Sequence, residues 1–414
     1  MRGIRILVVD DSAVVRRLLT RIIEEEPGLE VAGQASNGRL ALDMLDQVEP
    51  DLVTLDVEMP VMDGLATLAE LRRRRPRLPV IMFSTLTSRG AATTIEALSA
   101  GASDYLTKPE GAANLQESLE RLRADLVPRV RALARIRPAQ PVHTVKEPAM
   151  STSPQPRPTT DPFPRTAPAF PREARPGLER SALRTPAPGR PIPRPPMPNV
   201  IPAAGPARHL ARPAELLVVG VSTGGPNALA RVMPLFPATL SVPVLIVQHM
   251  PPLFTRMLAD RLDQLSPLTV REARNGSVLL PGEAWLAQGD WHMEVAREGG
   301  RLVLREHQGP QVNSCRPAVD VLFDSAVRCC GGAVLAMVLT GMGQDGMKGA
   351  RAIREAGGLV LAQDEESSVV WGMPGAVAMA GLADAVLPLD GLVPHALQLL
   401  TSIRPLGGRS SACR

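Results

Sequence analysis

Residues 128–213 hold 22 of the 42 prolines in the 414-residue chain, in runs such as PRPTTDPFPRTAPAFPR and RPIPRPPMPNVIP. Proline removes a backbone donor and fixes φ, and it pushes its neighbours into extended conformations. A long helix or central strand is therefore excluded there, and the segment is expected to be a disordered, partly polyproline II spacer. The chain must then fold as two separate regions, 1–127 and 214–404, with a flexible tail at 405–414. The spacer carries 15 Lys or Arg against 4 Asp or Glu, a net of +11. Since the whole chain is +4, the rest carries −7. The basic character thus belongs to the spacer rather than to the folded regions. That removes the main argument for a DNA-binding regulator, and no helix-turn-helix pattern follows the spacer. Aromatic residues make up only 2% of the chain, too few for the stacking platforms that bind single-stranded nucleic acid.

Each flanking region alternates short apolar runs with helix-period segments. Before the spacer come IRILVVD, DLVTLD, PVIMF and SDYLT; after it come ELLVVG, VPVLIVQ, AVLAMVLT and GLVLAQ. Such alternation predicts βαβ units on parallel sheets. The expected fold class is α/β: an N-terminal flavodoxin-like domain with five parallel strands, then a doubly wound domain with a mainly parallel sheet and a hairpin. The turn-rich stretch 268–305 is the place for hairpins. The N-terminus shows no cleavable signal, and no apolar run reaches the ~18 residues of a membrane span. The four cysteines show no C-x-x-C or zinc spacing. The chain is expected to be a soluble cytoplasmic protein with reduced thiols, a monomer by default.

In the first region, strand-like runs end in Asp10-Asp11, Asp56 and Ser84, and Lys108 follows YLT. Ligands of open parallel sheets bind outside the carboxyl ends of the strands. Three carboxylates gathered there call for a hard cation, for which Mg²⁺ is suited. Mg²⁺ together with Lys108 would stabilise a phosphoryl group transferred to an aspartate. With DVEMP at 56–60, MDG at 62–64 and SDYLTKP at 103–109, residues 1–125 resemble a response-regulator receiver domain. The resemblance implies Asp56 as the phosphorylated residue. It implies Asp10, Asp11, Asp56 and the Glu58 carbonyl as metal ligands, Ser84 and Lys108 as phosphoryl contacts, and Tyr105 as the aromatic switch position.

In the second region VVGVSTGGP (218–226) fits a G-x-S-x-G nucleophile elbow, a phosphate-binding turn, or an ordinary strand-to-helix turn. A nucleophilic serine needs a base, and the base needs an orienting carboxylate. His249 follows VPVLIVQ, and Asp345 lies in GMGQDG after AVLAMVLT, so three strands are expected to deliver Ser222, His249 and Asp345 to one sheet edge. The order Ser, His, Asp and the absence of an HGGG motif exclude the α/β-hydrolase pattern. No G-K-[ST] supports a phosphate loop. Residues 214–404 resemble the catalytic domain of the chemotaxis protein-glutamate methylesterases (CheB), through GVSTGGP, QHMP, RPAVDVLF, LTGMGQDG and AQDEESSVVWGMPGAV. The resemblance implies Ser222 as nucleophile, His249 as general base and then acid, and Asp345 as its orienting partner, with the backbone near Thr223 and Met342 expected to offer oxyanion donors. It further implies methyl-accepting chemotaxis receptors as substrate, a chemotaxis histidine kinase as phosphodonor, receptor glutamine deamidation as a second activity, and no cofactor for the esterase. A binding-only output, with the triad positions as relics, is the competing reading. Ala318 and Gln288 depart from the family pattern, which commonly has Ser in RPSVD and Pro in Ala-Pro-Gly.

Overall fold

The structure, a computed structural model, describes residues 3–108, 115–134, 201–202, 208–210 and 212–401. The expected disorder of most of the spacer, and the tail, lie outside the described residues.

The first region contains β1 (Ile4–Val9), α1 (Ala13–Glu24), β2 (Leu29–Ala35), α2 (Gly38–Val48), β3 (Leu52–Asp56), α3 (Gly64–Arg74), β4 (Val80–Ser84), α4 (Ser88–Ser99), β5 (Asp104–Thr107) and α5 (Leu115–Ala134). The strands form a five-stranded parallel sheet in the order β2-β1-β3-β4-β5. β3 and β4 are buried along their whole length, because helices cover both faces; that is why they read as unbroken apolar runs. Four helices start on a side chain that accepts a backbone N–H: Ser12, Asn37, Asp63 and Thr87.

The second region contains β6 (Ile201–Pro202), β7 (Leu216–Val221), α6 (Gly225–Val232), β8 (Val244–Gln248), α7 (Phe254–Leu265), β9 (Thr269–Glu272) and β10 (Glu283–Leu286). It continues with β11 (His292–Glu298), β12 (Arg301–His307), α8 (Val319–Cys330), β13 (Val334–Val338), α9 (Met347–Glu355), β14 (Leu359–Gln363), α10 (Met373–Met379), β15 (Ala385–Leu387) and α11 (Leu389–Thr401). Its eight-stranded sheet has the order β6-β15-β14-β13-β7-β8-β10-β9, and only the β6 pairing is antiparallel. The chain winds outward on either side of β7, so the topological switch point lies between β7 and β13.

Two sequence expectations need correction. The boundary at 127/128 falls inside α5, which continues through Pro128 to Ala134, and the far end of the assigned spacer is also structured. There Ile201–Pro202 adds an edge strand, Leu210 is buried, and the Arg212 guanidinium donates to the Cys330 carbonyl. Within 268–305, β9 and β10 are parallel members of the large sheet, and the only hairpin among these strands is β11–β12. Among the described residues no helix is long and apolar enough to cross a membrane.

Candidate active site

Ser222 follows β7, His249 follows β8, and Asp345 lies in the loop after β13, so three neighbouring strands bring these residues to one edge. Glycines make the turns possible. Gly224 (φ 78°) and Gly346 (φ 89°) cap α6 and α9 in the left-handed region, and a Cβ on either would fall within 3 Å of Val369 or Val319.

His249 Nε2 lies 2.9 Å from Asp345 Oδ2. That carboxylate is surrounded by donors. Oδ2 also accepts from Val319 N (2.6 Å), and Oδ1 accepts from Asn313 Nδ2 (2.7 Å), Asp320 N (3.1 Å) and Gly346 N (3.0 Å). Val319 and Asp320 open α8, so Asp345 does the capping that Ala318 cannot. Burial opposes the charge on Asp345, but the His249 ring and these N–H groups outweigh it and hold its pKa below the usual range. Burial likewise opposes a charged His249; Asp345 and then Cys315 reverse that and raise its pKa to about 9.

Ser222 Oγ makes no hydrogen bond to the ring. The other nitrogen, Nδ1, faces Cys315 Sγ at 3.6 Å. The contact of Cys315 with the His249 ring is one that sequence reasoning missed, and so are the side chains that hold the Ser222 loop. Buried Gln248 donates to the Ser222 carbonyl (3.0 Å), and Thr340 Oγ1 donates to the Thr223 carbonyl (2.9 Å). Gln248 could have been singled out, since it directly precedes His249; for Cys315 only the NSC turn gave a signal. Thr223 N and Met342 N have no acceptor among the described residues. A Cβ on Gly341 would come within 2.8 Å of the Ser222 Cβ, which puts the Met342 turn directly against the serine. Gln288 stands in a turn where its carbonyl accepts from Trp291 N (3.2 Å).

At the carboxyl edge of the first sheet, Asp10, Asp11 and Asp56 place carboxylate oxygens within 4.8 Å of one another. Lys108 Nζ lies 2.9 Å from Asp10 and 2.8 Å from Asp56. The second Asp56 oxygen is buried without a hydrogen-bond partner. An oxygen-only set with an orphaned buried carboxylate atom fits a hard cation such as Mg²⁺. A cavity of about 250 Å³ opens beside Asp56, lined also by Asp11, Glu58, Ser84 and Lys108. Burial raises the Asp56 pKa to about 6, with the Asp10 charge adding and the Lys108 hydrogen bond opposing.

The two edges meet. Tyr105 is buried and its ring stacks on Phe254 with centroids 4.9 Å apart. Asn227 Nδ2 donates to the Ala102 carbonyl (2.9 Å). Asp104 holds Arg129 (3.1 Å); burial raises its pKa, and Arg129 and then the side chain of Thr223, the residue after Ser222, oppose the rise.

A receiver sheet with its acidic pocket, followed by a doubly wound domain with Ser, His and Asp at its switch point, defines a response regulator with a hydrolase-type output. Residues 6–120 match the response regulator receiver domain, and residues 217–396 match the CheB methylesterase domain. A protein-glutamate methylesterase/protein-glutamine glutaminase of a Nocardioides species is 47% identical over 98% of this chain and 98% of its own. The protein of the same name from Trichodesmium erythraeum is 42% identical over 96% of this chain and 99% of its own. The Thermotoga maritima CheB methylesterase catalytic domain is 41% identical, covering 45% of this chain and 98% of that one, with a TM-score of 0.44. The chain belongs to the CheB family of response-regulator methylesterases.

Proposed function

We propose that this chain is a cytoplasmic, phosphorylation-regulated hydrolase that removes methyl groups from glutamate γ-methyl esters of methyl-accepting chemotaxis receptors and deamidates receptor glutamines. Its phosphodonor is a chemotaxis histidine kinase. The observation that carries the reading is the His249–Asp345 pair beside Ser222 at the switch point of the second sheet.

Ser222 Oγ attacks the ester carbonyl. With Nε2 committed to Asp345, Nδ1 is the nitrogen that takes the serine proton and then delivers it to departing methanol, or to ammonia when the substrate is glutamine. Water releases the acyl group by the reverse exchange. Thr223 N and Met342 N, which have no acceptor among the described residues and lie beside Ser222, would bind the developing oxyanion, each worth about 3 kcal/mol in comparable sites. Proton transfer would depend on Asp345 keeping the ring in one tautomer.

In the receiver, Asp56 is the phosphoacceptor, and Asp10, Asp11, Asp56 and the Glu58 carbonyl would hold Mg²⁺. The ion would supply charge neutralisation for the incoming phosphoryl group. Ser84 and Lys108 bind the phosphoryl oxygens. Because Lys108 now bridges Asp10 and Asp56, phosphorylation must break that bridge. Tyr105 lies on β5, the strand that leads to Lys108, and Ala102 lies in the loop before it; they hold Phe254 and Asn227. A change at Asp56 thus has a short route to the segment that carries Ser222. The contacts at Thr223, Asn227 and Phe254 support a receiver that restrains the hydrolase until phosphorylated.

Methanol release from methyl-esterified receptor tests the reading, with wild type against Ser222→Ala, each with and without a small phosphodonor and Mg²⁺. Release should require Ser222 and rise with the phosphodonor. A fully active alanine variant would overturn the assignment.

A further inference from the structure

The position of Cys315 is built, not incidental. Asn313 (φ 53°) and Ser314 (φ 61°) both occupy the left-handed region, which serine seldom adopts. They form a two-residue turn closed by Val312 N to Cys315 O (3.1 Å) and Cys315 N to Val312 O (2.9 Å). The strain, on the order of 1 kcal/mol per residue, is held from both sides. The Asn313 amide donates to Asp345 Oδ1 (2.7 Å) and Asp320 Oδ2 (2.8 Å), while Arg316 grips Asp290 (2.6 Å) and the Gly309 carbonyl (2.8 Å). The turn is therefore tied to the same carboxylate that holds His249, and it delivers a thiol to the ring nitrogen that Ser222 needs. Cys315 is half-buried. Cys330 is buried, Cys329 is half-buried, and among the described residues neither bonds to a histidine.

We propose that Cys315 is a thiol-modification site built on the His249–Asp345 pair, with a low-molecular-weight disulfide as its reagent. Sγ and His249 Nδ1 share one proton; when it rests on the ring, which Asp345 holds through Nε2, Cys315 is a thiolate beside an imidazolium. The thiolate attacks one sulfur of the disulfide. A Cys315 mixed disulfide forms, the reagent's S–S bond breaks, and its other half leaves as a thiolate with the electron pair. The adduct then stands in front of Nδ1, so the Ser222 proton has no acceptor until a reductant removes the cap. The block rests on the esterase reading; the modification itself does not.

The probe is dithionitrobenzoate on the full chain, with peptide mapping of each cysteine. An ordinary thiol is only a few per cent ionised at neutral pH. In Ser222→Ala protein Cys315 should therefore react at least about tenfold faster than Cys329, because its Sγ faces the His249 imidazolium, which favours a thiolate. His249→Ala should remove most of that advantage. Equal rates for Cys315 and Cys329 in the Ser222→Ala protein, which keeps His249, would overturn the proposal even if the histidine variant failed to fold. For the block, capped wild type should lose at least about nine-tenths of its methanol release and regain it with dithiothreitol. Cys315→Ala, scored against its own untreated rate, should lose little. A capped protein with full activity would overturn the block. If untreated wild type releases no methanol while Cys315 still labels rapidly, the esterase reading fails and the modification site stands.

Discussion

Replacing Asp345 by Asn tests the heart of the proposed mechanism, because the five donors around its carboxylate leave asparagine no satisfactory pose. If the new NH₂ occupies the Oδ1 position, it confronts Asn313 Nδ2, Asp320 N and Gly346 N, all now within 3.1 Å of that oxygen. If it occupies the Oδ2 position, it confronts only Val319 N and His249, so this pose is preferred. One buried backbone N–H then loses its acceptor, which costs about 1–3 kcal/mol. For a domain of this size that corresponds to a Tm lower by roughly 2–10 °C. In this pose Nε2 must accept from the amide, so the ring proton moves to Nδ1. That is the nitrogen assigned to take the Ser222 proton, and it can no longer do so. A wrong tautomer in a comparable triad lowers kcat by about four orders of magnitude. Methanol release and thermal melting of Asp345→Asn should therefore both fall, the rate by far more than the stability loss explains. A rate within tenfold of wild type, in a protein melting several degrees lower, would show that Asp345 only caps α8.

Three further outcomes follow from the geometry. His249, with its pKa raised to about 9 by Asp345 and Cys315 against the effect of burial, is cationic at pH 7 and must lose that proton to act as a base. The unphosphorylated chain should thus show kcat/KM rising with pH toward a limb near 9, and a limb near 6.5 would refute this. Asp56 titrates near 6 when folded and near 3.8 when unfolded, so between those values the folded state binds more protons. Metal-free stability in urea should fall as pH rises through that window, by at most ~3 kcal/mol, and Asp56→Asn should flatten the decline; an equally steep decline would exclude Asp56 as its source. Asn227→Ala removes one hydrogen bond to the Ala102 carbonyl, worth about 1 kcal/mol. It should raise basal methanol release severalfold without phosphodonor, and an unchanged rate would mean that this contact does not restrain the hydrolase.

The sequence was most legible where one physical rule acts alone. Strands covered on both faces read as apolar runs, and their carboxyl ends gather chemistry, so Asp10, Asp56, Ser222, His249 and Asp345 could be placed on sheet edges from their neighbours. It was less legible where tertiary context overrides a local rule. Pro128 reads as the start of the spacer, yet α5 carries it and buries Leu126, Val127 and Val130 around it. Losing one helical hydrogen bond costs less than exposing that apolar face. The parallel pairing of β9 with β10 was hidden because no helix separates them, which leaves a turn-rich stretch that looks like a hairpin. Cys315 was hidden for a further reason. Neither Asn313 nor Ser314 advertises a left-handed turn as glycine would, and the turn is held by two carboxylates, Asp320 seven residues on and Asp345 32 residues away, the second of which no local pattern signals. Ala318 belongs to the same network. Because it cannot cap α8, Asp345 caps the helix, and Asn313 and His249 share the same carboxylate. One residue that looked like a minor departure from a motif is thereby coupled to the capping, the turn and the base, and restoring a serine at position 318 would give the helix a second cap while leaving the His249–Asp345 pair to be judged on catalysis alone.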